Sequence, residues 1–239
     1  MATPILRATL DVAEALVGET AAFYGERLGL QTMLEANGAH VEVGESSLSF
    51  RATRGEPFYH VALLVPGDRF EATLAWAEAR VPLLPERESG EVVFEFAFWD
   101  ARACYFHDPS GTIVELIAHR GIAEEGATGP FRPEELRGLS EIGIVGDPPA
   151  DAAVLERELG LEVWDGAVDG KRSLAFVGEQ ARTLILCRAG RPWLPTGRPA
   201  EPHPVDVVFA GGRWGGGRVT LAGGSRVFRR GADAAVQAS

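Results

Sequence analysis

Apolar and polar positions along the chain alternate between two rhythms. Residues 5–12 alternate with the period of a strand, and in residues 13–28 that follow, Leu16, Phe23, Tyr24 and Leu28 share one face of a helix. Gly29 is a helix stop. Three short segments come next, 30–35, 39–43 and 47–52, separated by Asn37-Gly38 and Gly44-Glu45, the turn chemistry of a three-strand meander. The pattern predicts a β-α-β-β-β unit.

The same order returns from Phe58: a strand over 60–65, a Pro-Gly-Asp break, a helix over 70–80, then strands over 92–99, 103–106 and 112–118. Asp108-Pro109-Ser110-Gly111 is a strong turn between the last two. A third unit opens near Leu139, with a strand over 141–145 and a helix over 151–159 that Gly160 ends. The fourth is curtailed to a strand over 205–209 and a segment over 218–229 that turns at Gly223-Gly224, with no helix between.

Self-comparison supports repetition. Leu28-Gly29-Leu30 matches Leu159-Gly160-Leu161, Val43-Gly44-Glu45 matches Val177-Gly178-Glu179, and Arg51-Ala52 matches Arg188-Ala189, all in one order. Residues 121–133, rich in Gly, Pro and Glu, read as a linker. The expected division is therefore 1–122 as two paired βαβββ modules with the candidate site, 123–134 as linker, and 135–239 as a third module plus an incomplete fourth. One helix covers only one face of such a sheet, so modules must combine to complete a core or cup. The expected fold class is α+β: repeated βαβββ modules pairing into cupped mixed sheets.

Bulk properties narrow the function classes. The 239 residues are 46% hydrophobic, enough for substantial cores. Asp plus Glu number 34 against 23 Lys plus Arg, a net charge of −11 that repels polyanions, so no nucleic-acid partner is expected. Residues 1–10 read as a strand rather than a secretory signal, and the longest apolar runs are too short to span a bilayer. Cys104 and Cys187 sit in apolar runs and form no metal-type pair, as buried thiols of a reducing compartment do. A cytoplasmic protein with no membrane partner is expected.

The most informative residue is Glu115, inside the apolar strand Thr112-Ile113-Val114-Glu115-Leu116-Ile117-Ala118. A carboxylate buried there needs a pairing, hydrogen-bonding or metal partner. Alternation puts it on the face of Ile113 and Ile117, with Val114 and Leu116 facing the helix. His60, heading its own apolar strand, is the candidate partner, either by a direct His–Glu hydrogen bond or through a divalent metal such as Fe, Mn, Zn or Ni.

Phe23-Tyr24 with Leu28-Gly29-Leu30, His60-Val61-Ala62-Leu63-Leu64-Val65, and Phe106-His107-Asp108-Pro109-Ser110-Gly111-Thr112-Ile113-Val114-Glu115-Leu116 resemble the signatures of the vicinal oxygen chelate superfamily of glyoxalases, extradiol dioxygenases and bleomycin-resistance proteins. The resemblance covers most of residues 5–118, with a weaker echo over 139–190. It implies paired modules forming a cup. It also implies a metal held by a His or Gln on each first strand and a Glu on each last strand, with the substrate chelating that metal through adjacent oxygens. On that pattern His60 and Glu115 match the ligands of the second module. The first module departs, with Arg7 at the His position and Ser49 at the Glu position, and a guanidinium cannot ligate a metal.

Two readings of the site stand. In one, His60 and Glu115 hold a divalent metal, with His107 and His40 as third-ligand candidates; in the other, Arg7 pairs with Glu115 or an anionic ligand and no metal binds. On 92–99, Phe94, Phe96 and Phe98 share a core face, while Glu95 and Trp99 face the cup, Glu95 as a general base. Arg7, Tyr59 and Trp99 are the substrate-binding candidates, with Glu115 and Glu95 catalytic. Glu141 aligns with the His60 position in the third unit and Pro204 in the fourth, His203 falling one residue out of register. Trp193 is expected to be a buried loop anchor. The functional expectation is a glyoxalase- or dioxygenase-like protein binding a small oxygen-bearing metabolite in the N-terminal cup, as a lyase, isomerase or dioxygenase. The alternative is a metal-free ligand-sequestering protein. A homodimer fits either.

Overall fold

The computed structural model describes residues 3–168, 174–211 and 216–231. Met1 and Ala2, the start of the first expected strand, lie outside them.

The first module is β1 (Ile5–Ala13), a helical segment, β2 (Thr32–Glu35), β3 (Gly38–Val43) and β4 (Ser46–Thr53). Its helical segment joins a 3-10 turn (Glu14–Leu16), α1 (Val17–Ala22) and a π turn (Phe23–Arg27). The second is β5 (His60–Val65), α2 (Phe70–Glu78), β6 (Phe94–Phe96), β7 (Ala101–His107) and β8 (Ile113–His119). The third is β9 (Gly138–Val145), α3 (Pro148–Leu159), β10 (Val163–Gly166), β11 (Leu174–Glu179) and β12 (Arg182–Cys187). The fourth keeps only β13 (Asp206–Phe209), β14 (Gly217–Thr220) and β15 (Arg226–Arg229) among the described residues. The α+β class and the βαβββ order therefore hold.

Module pairing departs from the expected division. First and last strands pair in parallel within each module, β1 with β4, β5 with β8, β9 with β12 and β13 with β15. Between modules, β5 lies antiparallel to β9, and β1 antiparallel to β13. The second module thus shares a sheet with the third, and the first with the fourth. Segment 1–122 is not a closed pair. The two halves meet where Ile5 bridges Leu139, and there the buried Ser46 hydroxyl donates to the Ile5 carbonyl (2.6 Å) and accepts the Leu139 amide (2.9 Å). No residue but glycine fits at 138, where φ is +144° and a Cβ would stand 2.5 Å from Ser46 Oγ.

Each inter-module seam has a local two-fold. Val61 pairs with Ile142 and Ala62 with Glu141, so His60 and Glu141 are two-fold mates. In the other seam Ala8 pairs with Val207 and Thr9 with Asp206, and the two-fold through the Ala8–Val207 pair relates Arg7 to Asp206. Two residues along, the parallel partners are Glu115, Ile185, Ser49 and Phe228. The repeated Val-Gly-Glu triplets are also offset: the hairpins close at Val43 with Ser46 and at Glu179 with Arg182.

Alternation sorts the core. Val61, Leu63, Val65, Val114 and Leu116 join the large cluster between sheet and helices, as expected for the helix-facing side. Ala62, Ile113, Ile117, Phe94, Tyr105, Phe176, Ile185, Cys187 and Trp193 form a second cluster inside the cup of modules two and three. Both cysteines are free thiols, and burial pushes the Cys104 thiol up to about 12. No helix among the described residues is long and apolar enough to cross a membrane.

Candidate functional site

Strand register builds the site directly. Tyr105, Glu115, Ala62, Glu141 and Thr183 stand abreast on β7, β8, β5, β9 and β12. Strands lie about 4.8 Å apart, so the Glu115 and Glu141 backbones are separated by roughly 10 Å, and the small Ala62 between them leaves room for both side chains to lean together. Both carboxyls are buried, at 2% and 3% exposure.

Glu115 is fully engaged. One oxygen lies 3.0 Å from His60 Nε2 and the other accepts the Tyr105 hydroxyl at 2.9 Å. His60 is buried, and its Nδ1 has no protein partner. Burial, reinforced by the charge of Glu115, raises the Glu141 carboxyl well above its ordinary 4.5 and so favours its neutral form. Burial and then Glu115 likewise raise the Tyr105 phenol. His119, further along β8, is pushed down by burial and stacks beneath Trp99.

Above this polar floor is a cavity of about 190 Å³ lined by His60, Tyr105, Glu115, Glu141, Arg191 and a wall of Phe96, Trp99, Leu174, Phe176, Ile185, Trp193 and Leu194. Trp99 meets Phe176 edge-on at 4.5 Å and donates its indole N–H to Asp165 at 2.9 Å. Trp193 lies over the His60 ring, tilted by 13° at 5.2 Å.

His60 and Glu115 meet as the alternation of their strands predicts, and Trp99 reaches the same cup. It arrives by another route: β6 stops at Phe96, and a 3-10 turn over Ala97–Trp99, closed by Asp100 at φ +46°, swings the indole inward. Phe98, past the strand end, is not core but 85% exposed, and within β6 the expected faces are reversed: Phe94 and Phe96 face the cup while Glu95 faces the opposite side of the sheet, beside Glu71 and Arg102. Glu95 is therefore no general base for this cavity. Arg7 is exposed on the other seam, so it cannot pair with Glu115. Tyr59 is a structural pin: its hydroxyl accepts the Asp11 amide (3.1 Å) and donates to the Pro204 carbonyl (3.0 Å), joining the two halves away from the cavity. His40 bonds Ser49 and Glu42 in the first module, and His107 is exposed at the end of β7. Trp193 is the expected buried anchor. Glu141 is the participant whose weight sequence reasoning missed; a lone carboxylate within Leu139-Ser140-Glu141-Ile142 carried the same signal as Glu115.

The donor set does not fit a divalent metal. His60 and Glu115 are two ligands, and three or four are needed. Ile185 occupies the last-strand position of the third module, and burial favours the neutral form of Glu141, which does not ligate a metal. Among the described residues no three His, Cys, Asp or Glu side chains gather as a metal cradle.

No family model and no curated protein matches the chain by sequence. Solved structures do match. A "putative dioxygenase" from Bacillus subtilis aligns over 95% of this chain and 84% of its own at 15% identity and a TM-score of 0.59. Glyoxalase I from Zea mays aligns over 95% and 92% at 14% identity and a TM-score of 0.52. At such identities the likeness establishes the fold.

Proposed function

On the vicinal oxygen chelate fold that this chain carries, we propose that the cup between the second and third modules binds a compact, uncharged organic molecule through a carbonyl-type oxygen, without a metal. The observation that carries this reading is a buried carboxyl, Glu141, at the floor of an aromatic-walled cavity beside a fully engaged Glu115, where burial favours its neutral form. A protonated carboxyl donates one hydrogen bond, and in a water-poor pocket that bond orients and polarises a ligand oxygen. His60 Nδ1 beside this floor is buried and without a protein partner. The aromatic and aliphatic walls favour a flat apolar body, and the buried acidic floor disfavours an anionic ligand.

Binding is the primary claim. Its test uses acetophenone, whose only polar group is an acceptor oxygen, titrated by calorimetry. Wild type should bind, and Glu141→Leu should weaken binding by about tenfold, the worth of one hydrogen bond of ~1.4 kcal/mol. Glu141→Gln, which keeps a donor, should stay close to wild type near pH 6. Equal affinity for wild type and Glu141→Leu would remove the basis of the reading.

A further inference from the structure

We infer that Trp193 is a built-in plug that fills the half of the cup above His60 and sets the largest ligand the remaining space admits. This rests on the cup being the ligand site and concerns what limits it.

The plug is held from several sides. The connection between the third and fourth modules folds back on itself as a small antiparallel hairpin. In it Pro192 bridges Pro199, the Trp193 amide donates to the Arg198 carbonyl (2.9 Å), the Gly197 amide donates to the Trp193 carbonyl (2.7 Å), and the Ala200 amide donates to the Arg191 carbonyl (2.7 Å). The Arg198 guanidinium sits 3.3 Å from the Phe58 ring centroid, tying this hairpin to the start of the second module. Trp193 is thereby delivered into the cup at 4% exposure.

Its seat is made by an absent side chain. Gly143 on β9 is the two-fold mate of Ala62, and a Cβ there would stand 2.8 Å from Trp193 Cη2 and 3.3 Å from His60 Cβ. The backbone at Gly143 does not need positive φ, so the glycine serves close approach of the indole. The ring then stacks on His60, with the Arg191 guanidinium 5.7 Å from the indole centroid. The space that remains beside the indole is also lined by Phe96, Trp99, Leu174 and Phe176.

The chemical consequence is selection for one-ring over extended ring systems. Removing the indole joins its volume to the cavity, and a dry apolar space of that kind takes up apolar ligands. The discriminating experiment compares acetophenone, by calorimetry, with 1-acetylpyrene, by its own fluorescence, on wild type, Trp193→Ala and Trp193→Phe. Wild type should bind acetophenone and exclude acetylpyrene. Trp193→Ala should gain at least about tenfold for acetylpyrene, and Trp193→Phe should fall between.

A folded Trp193→Ala that gains nothing for acetylpyrene overturns the plug. Should the alanine variant fail to fold, the phenylalanine variant decides by the same shift in preference. Wild type that binds neither compound while Trp193→Ala binds acetylpyrene supports the plug but overturns the proposed native function. Wild type that binds both equally overturns the plug and leaves the proposed function intact.

Discussion

The two inter-module cups are built from the same parts and have opposite interiors. Around the seam of modules two and three, the positions two-fold and strand-related to one another hold His60, Glu141, Glu115 and Ile185, walled by a dedicated apolar cluster and covered by the Trp193 hairpin. Around the seam of modules one and four, the same positions hold Arg7, Asp206, Ser49 and Phe228. There Arg51 bonds Asp11 at 2.7 Å and reaches Asp206 at 3.4 Å, and Arg226 also pairs with Asp206, so a chain of ion pairs replaces a cavity floor. The lesson is that topology supplies a concave sheet, while burial decides whether its polar groups are chemically perturbed. Arg51, about half exposed, stays solvated. Glu141, shut away from water, has its carboxyl raised well above the ordinary carboxylate range.

The sharpest way to break this comparison is to fill equivalent positions. Ala62 and Thr9 both lie two residues past the first-strand site position, one fully buried and one half-buried. Ala62→Leu should destabilise the protein by about 1–3 kcal/mol through overpacking between the two carboxyls and should abolish acetophenone binding. Thr9→Leu should change stability by no more than about 0.5 kcal/mol. Urea unfolding reads both, and similar costs at the two sites would mean that the interiors do not differ as described.

Next in size is the protonation of Glu141. Its folded-state pKa lies above the unfolded one, so its stabilising contribution is complete below the ordinary carboxylate range and is lost as pH rises toward the raised value. Glu141→Gln should therefore gain stability over wild type at pH 8 and little at pH 4. Acetophenone binding should weaken with rising pH in wild type and stay flat in the glutamine variant. A stability difference that grows toward acid pH would carry the wrong sign for a buried neutral carboxyl.

The smallest effect belongs to the open cup. Arg51→Ala removes two exposed ion pairs and should cost about 0–1 kcal/mol, shrinking further in high salt. A loss of several kcal/mol, insensitive to salt, would show that this surface is held by something other than screened charge pairs.

The comparison also explains what could be read along the chain. Strand alternation is a local property, so the shared face of Glu115, Ile113 and Ile117, and the opposite face of Val114 and Leu116, were legible. The meeting of His60 and Glu115 followed because their strands belong to one module. Which module lies across the seam is a tertiary choice that no local period encodes. For that reason one of the two readings of the site set Arg7 beside Glu115, where Glu141 stands. Trp99 illustrates a second limit. Period-2 reasoning put Phe94 and Phe96 on the wrong face and Glu95 in the cup, whereas the strand faces them the other way and Trp99 enters the cup only because the chain turns after Phe96. Trp193 was readable as a buried anchor; its seat on Gly143 depends on a contact across about fifty residues of chain.

The most direct test of the central claim is a map of where acetophenone lands. In amide and indole nitrogen-proton correlation spectra, the indole signals of Trp99 and Trp193 should shift on titration. Those of Trp76, on the helix side of the sheet, and the Arg51 side chain in the open cup should stay fixed. Shifts concentrated at Arg51 and its neighbours, with Trp99 and Trp193 unmoved, would contradict the account.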